Sequence, residues 1–177
     1  MKSLEDQMGF YAAYHQDPRN KATHFVGVPV IMLSLFIPLS WLRLELGSIT
    51  VTGAMLLAAA VLTYYLMLDV SLALAAAVVT AVLVYIGNLI ALQPMAVGIT
   101  WFLVLFVGGW ILQLIGHSFE GRKPALTANL FQIFVAPIFL CAEAFFALGY
   151  KPGLRSATQH KALELRASAD LPQGRHT

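Results

Sequence analysis

The sequence predicts an all-α integral membrane protein: a bundle of four transmembrane helices, a fifth apolar segment that is proline-broken or re-entrant, and an N-terminal interfacial helix. Three observations carry that prediction. Of 177 residues, 59% are hydrophobic and only 11% charged, with a mean hydropathy of +0.74, whereas soluble domains carry about 25% charged residues. Between Phe25 and Ile115 the only Asp, Glu, Lys or Arg residues are Arg43, Glu45 and Asp69, too few to build a water-facing surface. The apolar runs also follow one another with minimal loops, which implies a single membrane domain over 1–177: an interfacial and ligand-bearing segment (1–24), a membrane bundle (25–149) and a basic tail (150–177).

Residues 3–16 place Leu4, Met8, Tyr11 and His15 on one helical face, suited to lying along the membrane surface. Asp17-Pro18 reads as an N-cap followed by proline at the first helical position. The helix it starts carries Asn20 and His24, four residues apart, on one face. Spans are expected near 25–45, 49–68, 70–91 and 95–115, each close to the roughly 20 residues that a bilayer core demands. Asp69-Val70-Ser71 is the polar break between the second and third spans, and Gln93-Pro94 makes the next turn. Pro29 and Pro38 should bend the first span, because proline lacks the amide that a helix interior needs.

The fifth apolar segment, Leu130 to Gly149, carries Pro137 and Glu143. Lys and Arg number three in residues 1–24, two at Arg122-Lys123 and five from Lys151 onward, against one elsewhere. Four crossings return the Arg122 loop to the side of the N-terminus, as the positive-inside rule asks. A fifth full crossing would strand the basic tail on the opposite side, so the segment is expected to be broken or re-entrant and buried in protein.

The net charge of +2 resides in the termini and one loop, so it implies no nucleic-acid partner. Cys141, the single cysteine, has no intrachain disulfide partner and reads as a small buried hydrophobe. Residues 1–24 contain Glu5, Asp6 and Asp17 and no continuous apolar run, unlike a cleavable signal peptide. Phosphate-binding glycine loops, the nucleophile elbow and the HExxH zinc motif are all missing from the sequence.

Against that sparse background, His15, His24 and His117 sit just outside apolar spans, and four crossings bring all three to one membrane face. Imidazole is the commonest metal ligand among side chains, and ionisable groups near the membrane tend to be functional. Zn, Cu, Fe and Ni all suit imidazole, so the metal stays open at this point. Gln113, His117 and Glu120 share one helical face. Glu120 reads either as a carboxylate completing an open non-haem iron shell or as a partner of Arg122 or of a histidine. Asn20 and Gln113 read as hydrogen-bond partners of ring nitrogens. Arg122 and Lys123 are flanking charges or a clamp for an anionic head group. Glu143 must be paired or protonated inside its apolar stretch and should face the bundle interior.

Several strings are familiar together. Met8-Gly9-Phe10-Tyr11, Tyr14-His15, Asn20, His24 and Pro29 open the chain; Gly109-Trp110-Ile111, Gln113, Gly116-His117, Glu120, Pro124-Ala125-Leu126, Asn129-Leu130, Ala136-Pro137 and Glu143 follow. In order and spacing they resemble the 2-hydroxy fatty acid (2-hydroxypalmitate) dioxygenase family of small multi-pass membrane proteins. Leu148-Gly149-Tyr150, Pro152, Leu154 and His160 resemble its tail. The resemblance implies Fe(II) held by His15, His24, His117 and His160. It also implies a dioxygenase that uses O2 to shorten 2-hydroxy fatty acids by one carbon, as in fatty acid alpha-oxidation during sphingolipid-base breakdown.

On that reading Arg122 and Lys123 steer the substrate carboxylate, the acyl tail lies among the helices, and the lipid bilayer is both host and substrate reservoir. The alternative class is a transporter or channel in which the histidines and Glu143 form a proton or metal path. Clustering of the histidines at one face argues against it. Ala/Leu-rich spans with short loops fit a bacterial inner membrane, or the endoplasmic reticulum in a eukaryote, with the site on the cytoplasmic face.

Overall fold

The computed structural model describes residues 3–120 and 131–168. Its helices are α1 (Leu4–Ala13), α2 (Pro18–Leu39), α3 (Gly53–Leu68), α4 (Val70–Ala91), α5 (Met95–Glu120), α6 (Gln132–Ala147) and α7 (Pro152–Ala167); strands β1 (Arg43–Leu46) and β2 (Ile49–Thr52) lie between α2 and α3. The contact pattern divides the chain into two units, one formed by residues 1–25 with 113–177 and the other by 26–112. Residues of the two terminal segments thus share one unit.

Local signals set the helix starts. Ser3 caps α1, its Oγ accepting the Asp6 amide at 3.1 Å. Asp17 precedes Pro18 and accepts the Arg19 amide at 2.8 Å; its hydrogen bonds and charge pair with Arg19 hold its carboxyl down at about 2. Asp69 ends α3 and caps α4, accepting the Leu72 amide at 3.0 Å, so the hairpin falls where the polar break predicts it.

In the unit spanning 26–112, α3 packs against α4, and Phe36, Ala54, Ala58 and Val84 form a core cluster. Gly87 permits a close approach, since a Cβ there would lie 3.0 Å from that of Phe36. The outward face of α4 presents Val70, Leu74, Val78 and Tyr85, with Val78 68% exposed. Such a stripe is untenable in water and ordinary against lipid chains.

Among the described residues three helices are long and apolar enough to cross a membrane: α2, α4 and α5, of 22, 22 and 26 residues. The expected count of four spans plus one is therefore not confirmed. The apolar helices α3 and α6 each have 16 residues, about 24 Å at 1.5 Å per residue against a core of about 30 Å. α3 is short because Arg43–Thr52, assigned to span ends and a loop, folds as an antiparallel hairpin pairing Arg43 with Thr52 and Leu46 with Ile49. That hairpin also departs from the all-α class: Ile49, Thr50, Val51 and Thr52 are four β-branched residues in a row, a local strand preference, and Gly47 (φ +66°) makes the turn. α6 runs through Pro137 without a break, so the expected interruption there is absent.

In the other unit, α1 packs against α7 and α6. The Leu4–Met8–Tyr11 face, expected at the membrane surface, is covered by protein instead: Met8 is 0% and Tyr11 4% exposed. Gly9 allows the contact, because a Cβ would fall 2.5 Å from Cβ of Lys161. The chain reaches this arrangement through a reversal after α6. The Tyr150 amide donates to Phe145 O at 2.8 Å and the Gly149 amide to Phe146 O at 3.2 Å, with Gly149 at φ +79°, the paired bonds of a Schellman cap. Pro152 then starts α7.

Candidate metal centre

His15 follows the last turn of α1, with its amide bonded to Ala12 O at 3.0 Å. Its ring stacks on Tyr11 at 4.0 Å between centroids and 4° between planes. Behind them, Phe139 of α6 lies 4.6 Å from the Tyr11 ring. His24 and His117 come from the first turns of α2 and the last turns of α5. All three histidines are buried, at 2%, 3% and 6% exposure.

The hydrogen bonds define which nitrogens are available. Nδ1 of His15 donates to Tyr11 O at 2.7 Å and Nδ1 of His24 donates to Asn20 O at 2.8 Å. A carbonyl only accepts, so both Nδ1 atoms carry the proton and a neutral ring has its lone pair on Nε2. These two Nε2 atoms face each other at 3.1 Å. Burial, and then the neighbouring His24, push the His15 pKa well below the ordinary value, which disfavours a proton between them. A shared cation satisfies two converging lone pairs; nitrogens at about 2.1 Å from one ion stand roughly 3.0–3.4 Å apart.

The His117 ring completes the group at 4.9 Å from His15 and 5.0 Å from His24, centroid to centroid, and one ligand atom from each residue lies within 4.8 Å of the others. Among the described residues Nδ1 of His117 has no hydrogen-bond partner. The donor set fits a divalent transition metal, with ring orientation set by main-chain carbonyls as metal-binding histidines require.

Comparison with known proteins gives the same direction. Residues 1–148 match the family described as Mpo1-like, 2-hydroxy-palmitic acid dioxygenase Mpo1-like. The chain belongs to the Mpo1-like family. A relative in Saccharomyces cerevisiae, 2-hydroxy-palmitic acid dioxygenase MPO1, is 37% identical over 161 residues, covering 89% of this chain and 88% of the relative. No solved structure matches the chain.

Within the stretch that matches the Mpo1-like family, Glu120 does not join the histidine group. Its carboxylate is 2% exposed and accepts the amides of Gln16 (3.1 and 3.0 Å) and Asp17 (2.7 Å) and Asn20 Nδ2 (3.3 Å). Its charge partner is Arg166 at 3.0 Å. Asn20, fully buried, serves the site through its main-chain oxygen on His24, while its side chain bonds Tyr14 O and Glu120. Gln113 is buried, and its Nε2 has no partner among the described residues. Glu143 is paired with Lys21 at 2.9 Å.

His160 is not brought to the trio: its side chain is 78% exposed and its Nδ1 lies 3.4 Å from Glu164. Arg122 and Lys123 lie outside the described residues. Sequence reasoning missed Lys21, Tyr11, Arg166 and Gly116. Tyr11 and Lys21 were detectable by spacing, four residues before His15 and three before His24. Gly116 needs the helix crossing to be known, because a Cβ there would meet Thr23 Oγ1 and lie 2.5 Å from Asn20 Oδ1.

Proposed function

We propose that this chain is an Fe(II)-dependent dioxygenase that shortens 2-hydroxy fatty acids by one carbon. The observation that carries the reading is the pair of Nδ1-anchored imidazoles, His15 and His24, with Nε2 atoms 3.1 Å apart beside His117, in a family whose yeast relative is named a 2-hydroxy-palmitic acid dioxygenase. His15, His24 and His117 would hold the iron. When bound, the iron supplies the redox chemistry that couples O2 to cleavage of the C1–C2 bond. One O2 converts a 2-hydroxy acid to the acid one carbon shorter, CO2 and water, so no separate organic cofactor or reductant is needed.

The protein's part is placement. Tyr11 O and Asn20 O keep both rings in the tautomer that offers Nε2. Glu120 ties down the Gln16 and Asp17 amides next to His15. Arg122 and Lys123, two and three residues past Glu120 in sequence, would attract the substrate carboxylate. The exposed apolar residues around His117, Leu114 and Phe119 among them, would lie along the acyl chain, where each buried CH2 contributes about 0.8 kcal/mol. The protein is read as multi-pass in a bacterial inner membrane, with the centre at the cytoplasmic face, where its basic residues concentrate.

Purified protein should copurify with iron or regain it on anaerobic Fe(II) reconstitution. With 2-hydroxypalmitate labelled at C1, it should release the label as CO2 and leave the C15 acid. Undiminished turnover after chelation, or full activity in His117→Ala, would exclude this function.

A further inference from the structure

The helix that follows the family match reaches back to the ligand-bearing loop. α7 starts at Pro152, past the residue 148 limit of that match. Near its end, Nη1 of Arg166 donates to Glu120 Oε1 at 3.0 Å and to Ala13 O at 3.2 Å. Two turns earlier on the same face, Nε2 of Gln159 donates to Gln16 Oε1 at 2.9 Å. One guanidinium therefore joins the last residue of α1, two before His15, to the last residue of α5, three after His117.

We propose that Arg166 is a positioning residue for the metal centre: by holding Glu120 in place, it fixes the 15–17 loop so that His15 stays aimed at His24 and His117. This rests on the metal reading given under Proposed function. Among the described residues four groups donate to Glu120, and Arg166 is the one of these that carries a charge; charge-assisted bonds are the strong ones. Without it, a carboxylate 2% exposed loses its charged donor among the described residues, and its grip on the Gln16 and Asp17 amides slackens. His15 is the ligand that feels this. His24 and His117 sit within helices, whereas His15 sits in the short connection between α1 and α2, so its aim depends on what anchors that connection.

The test uses the full-length, detergent-solubilised protein and Co(II) as the probe, read by titration and by the visible ligand-field spectrum. Wild type should bind one Co(II). Arg166→Gln should bind about tenfold more weakly, the lower end of what outer partners of metal ligands contribute, with an altered spectrum at saturation. Arg166→Lys should restore the wild-type spectrum. On a Glu120→Gln background, Arg166→Gln should cause no further loss, because both act through one link. Wild-type affinity or an unchanged spectrum in Arg166→Gln overturns the proposal, as does full additivity with Glu120→Gln. If Arg166→Gln does not fold, Arg166→Met decides by the same readouts. A wild type that binds no Co(II) sinks the metal reading itself, a result distinct from a normal wild type with an indifferent variant.

Discussion

Nε2 of His15 lies 3.1 Å from Nε2 of His24, although each ring has spent its Nδ1 proton on a main-chain carbonyl, that of Tyr11 and that of Asn20. Two neutral imidazoles so constrained present lone pair to lone pair. The fold therefore builds a repulsion that a cation relieves, and a metal-loaded protein should be markedly more stable than the metal-free one. Saturation at 100 times the dissociation constant adds about 2.7 kcal/mol, visible as a chelator-sensitive rise in Tm.

Removing a ring removes a ligand and the repulsion together. His24→Ala should lower Co(II) or Fe(II) affinity at least a hundredfold and abolish turnover, while the metal-free variant unfolds at or near the wild-type temperature. Metal titration with circular dichroism separates the two effects. Retained affinity would show that His24 is not a ligand.

The metal-free protein should lose stability in mild acid. His15 titrates well below its ordinary value because it is buried and beside His24, whereas in the unfolded chain it titrates near 6.5. Below that pH the unfolded state binds more protons, and stability falls as pH falls. The contribution is complete above about pH 6.5 and declines toward the folded pKa, by at most about 1.4 kcal/mol per pH unit. Urea midpoints of chelated protein at pH 7.5 and 5.5 should differ in that sense, and His15→Gln should shrink the difference.

Gly116 lies where α5 meets the first turns of α2 so closely that a Cβ would overlap Thr23 Oγ1 and approach Asn20 Oδ1 to 2.5 Å. Gly116→Ala should cost about 1–3 kcal/mol by overpacking and displace Asn20, whose carbonyl orients His24. The readouts are a lowered Tm and weaker metal binding. Gly108→Ala, which meets open space, is the control and should be near neutral.

Lys21 and Glu143 pair at 2.9 Å with side chains 25% and 19% exposed. Lys21→Ala strands a mostly covered carboxylate and should destabilise by about 1–3 kcal/mol, below the 3–5 of a fully buried pair. Lys21→Met with Glu143→Leu should recover most of that loss in thermal unfolding.

Much of this was legible in the sequence because the signals were local. Asp17-Pro18 and Asp69 mark helix starts by their caps, and the near absence of charge from Phe25 to Ile115 marks the membrane. The three histidines stand out in the sequence because so few other ionisable residues surround them. What was hidden depends on pairing between distant segments. The Arg43–Thr52 hairpin replaces span ends with strands, and hydropathy does not distinguish apolar strand from apolar helix. The partner of Glu120 was sought at Arg122, within its own loop, whereas the structure supplies Arg166 from 46 residues away. His160 was placed with the ligands by likeness of sequence, but its helix phase turns it toward Glu164.

The packing of α1 against α7 has a consequence for biosynthesis. The groups that clasp the loop of His15, Gln159 and Arg166, are translated 143 residues after Gln16 and 153 residues after Ala13, the residues they hold. A nascent chain halted before α7 would carry every imidazole of the trio and lack Gln159 and Arg166, so the grip on the 15–17 loop forms only once α7 has been made.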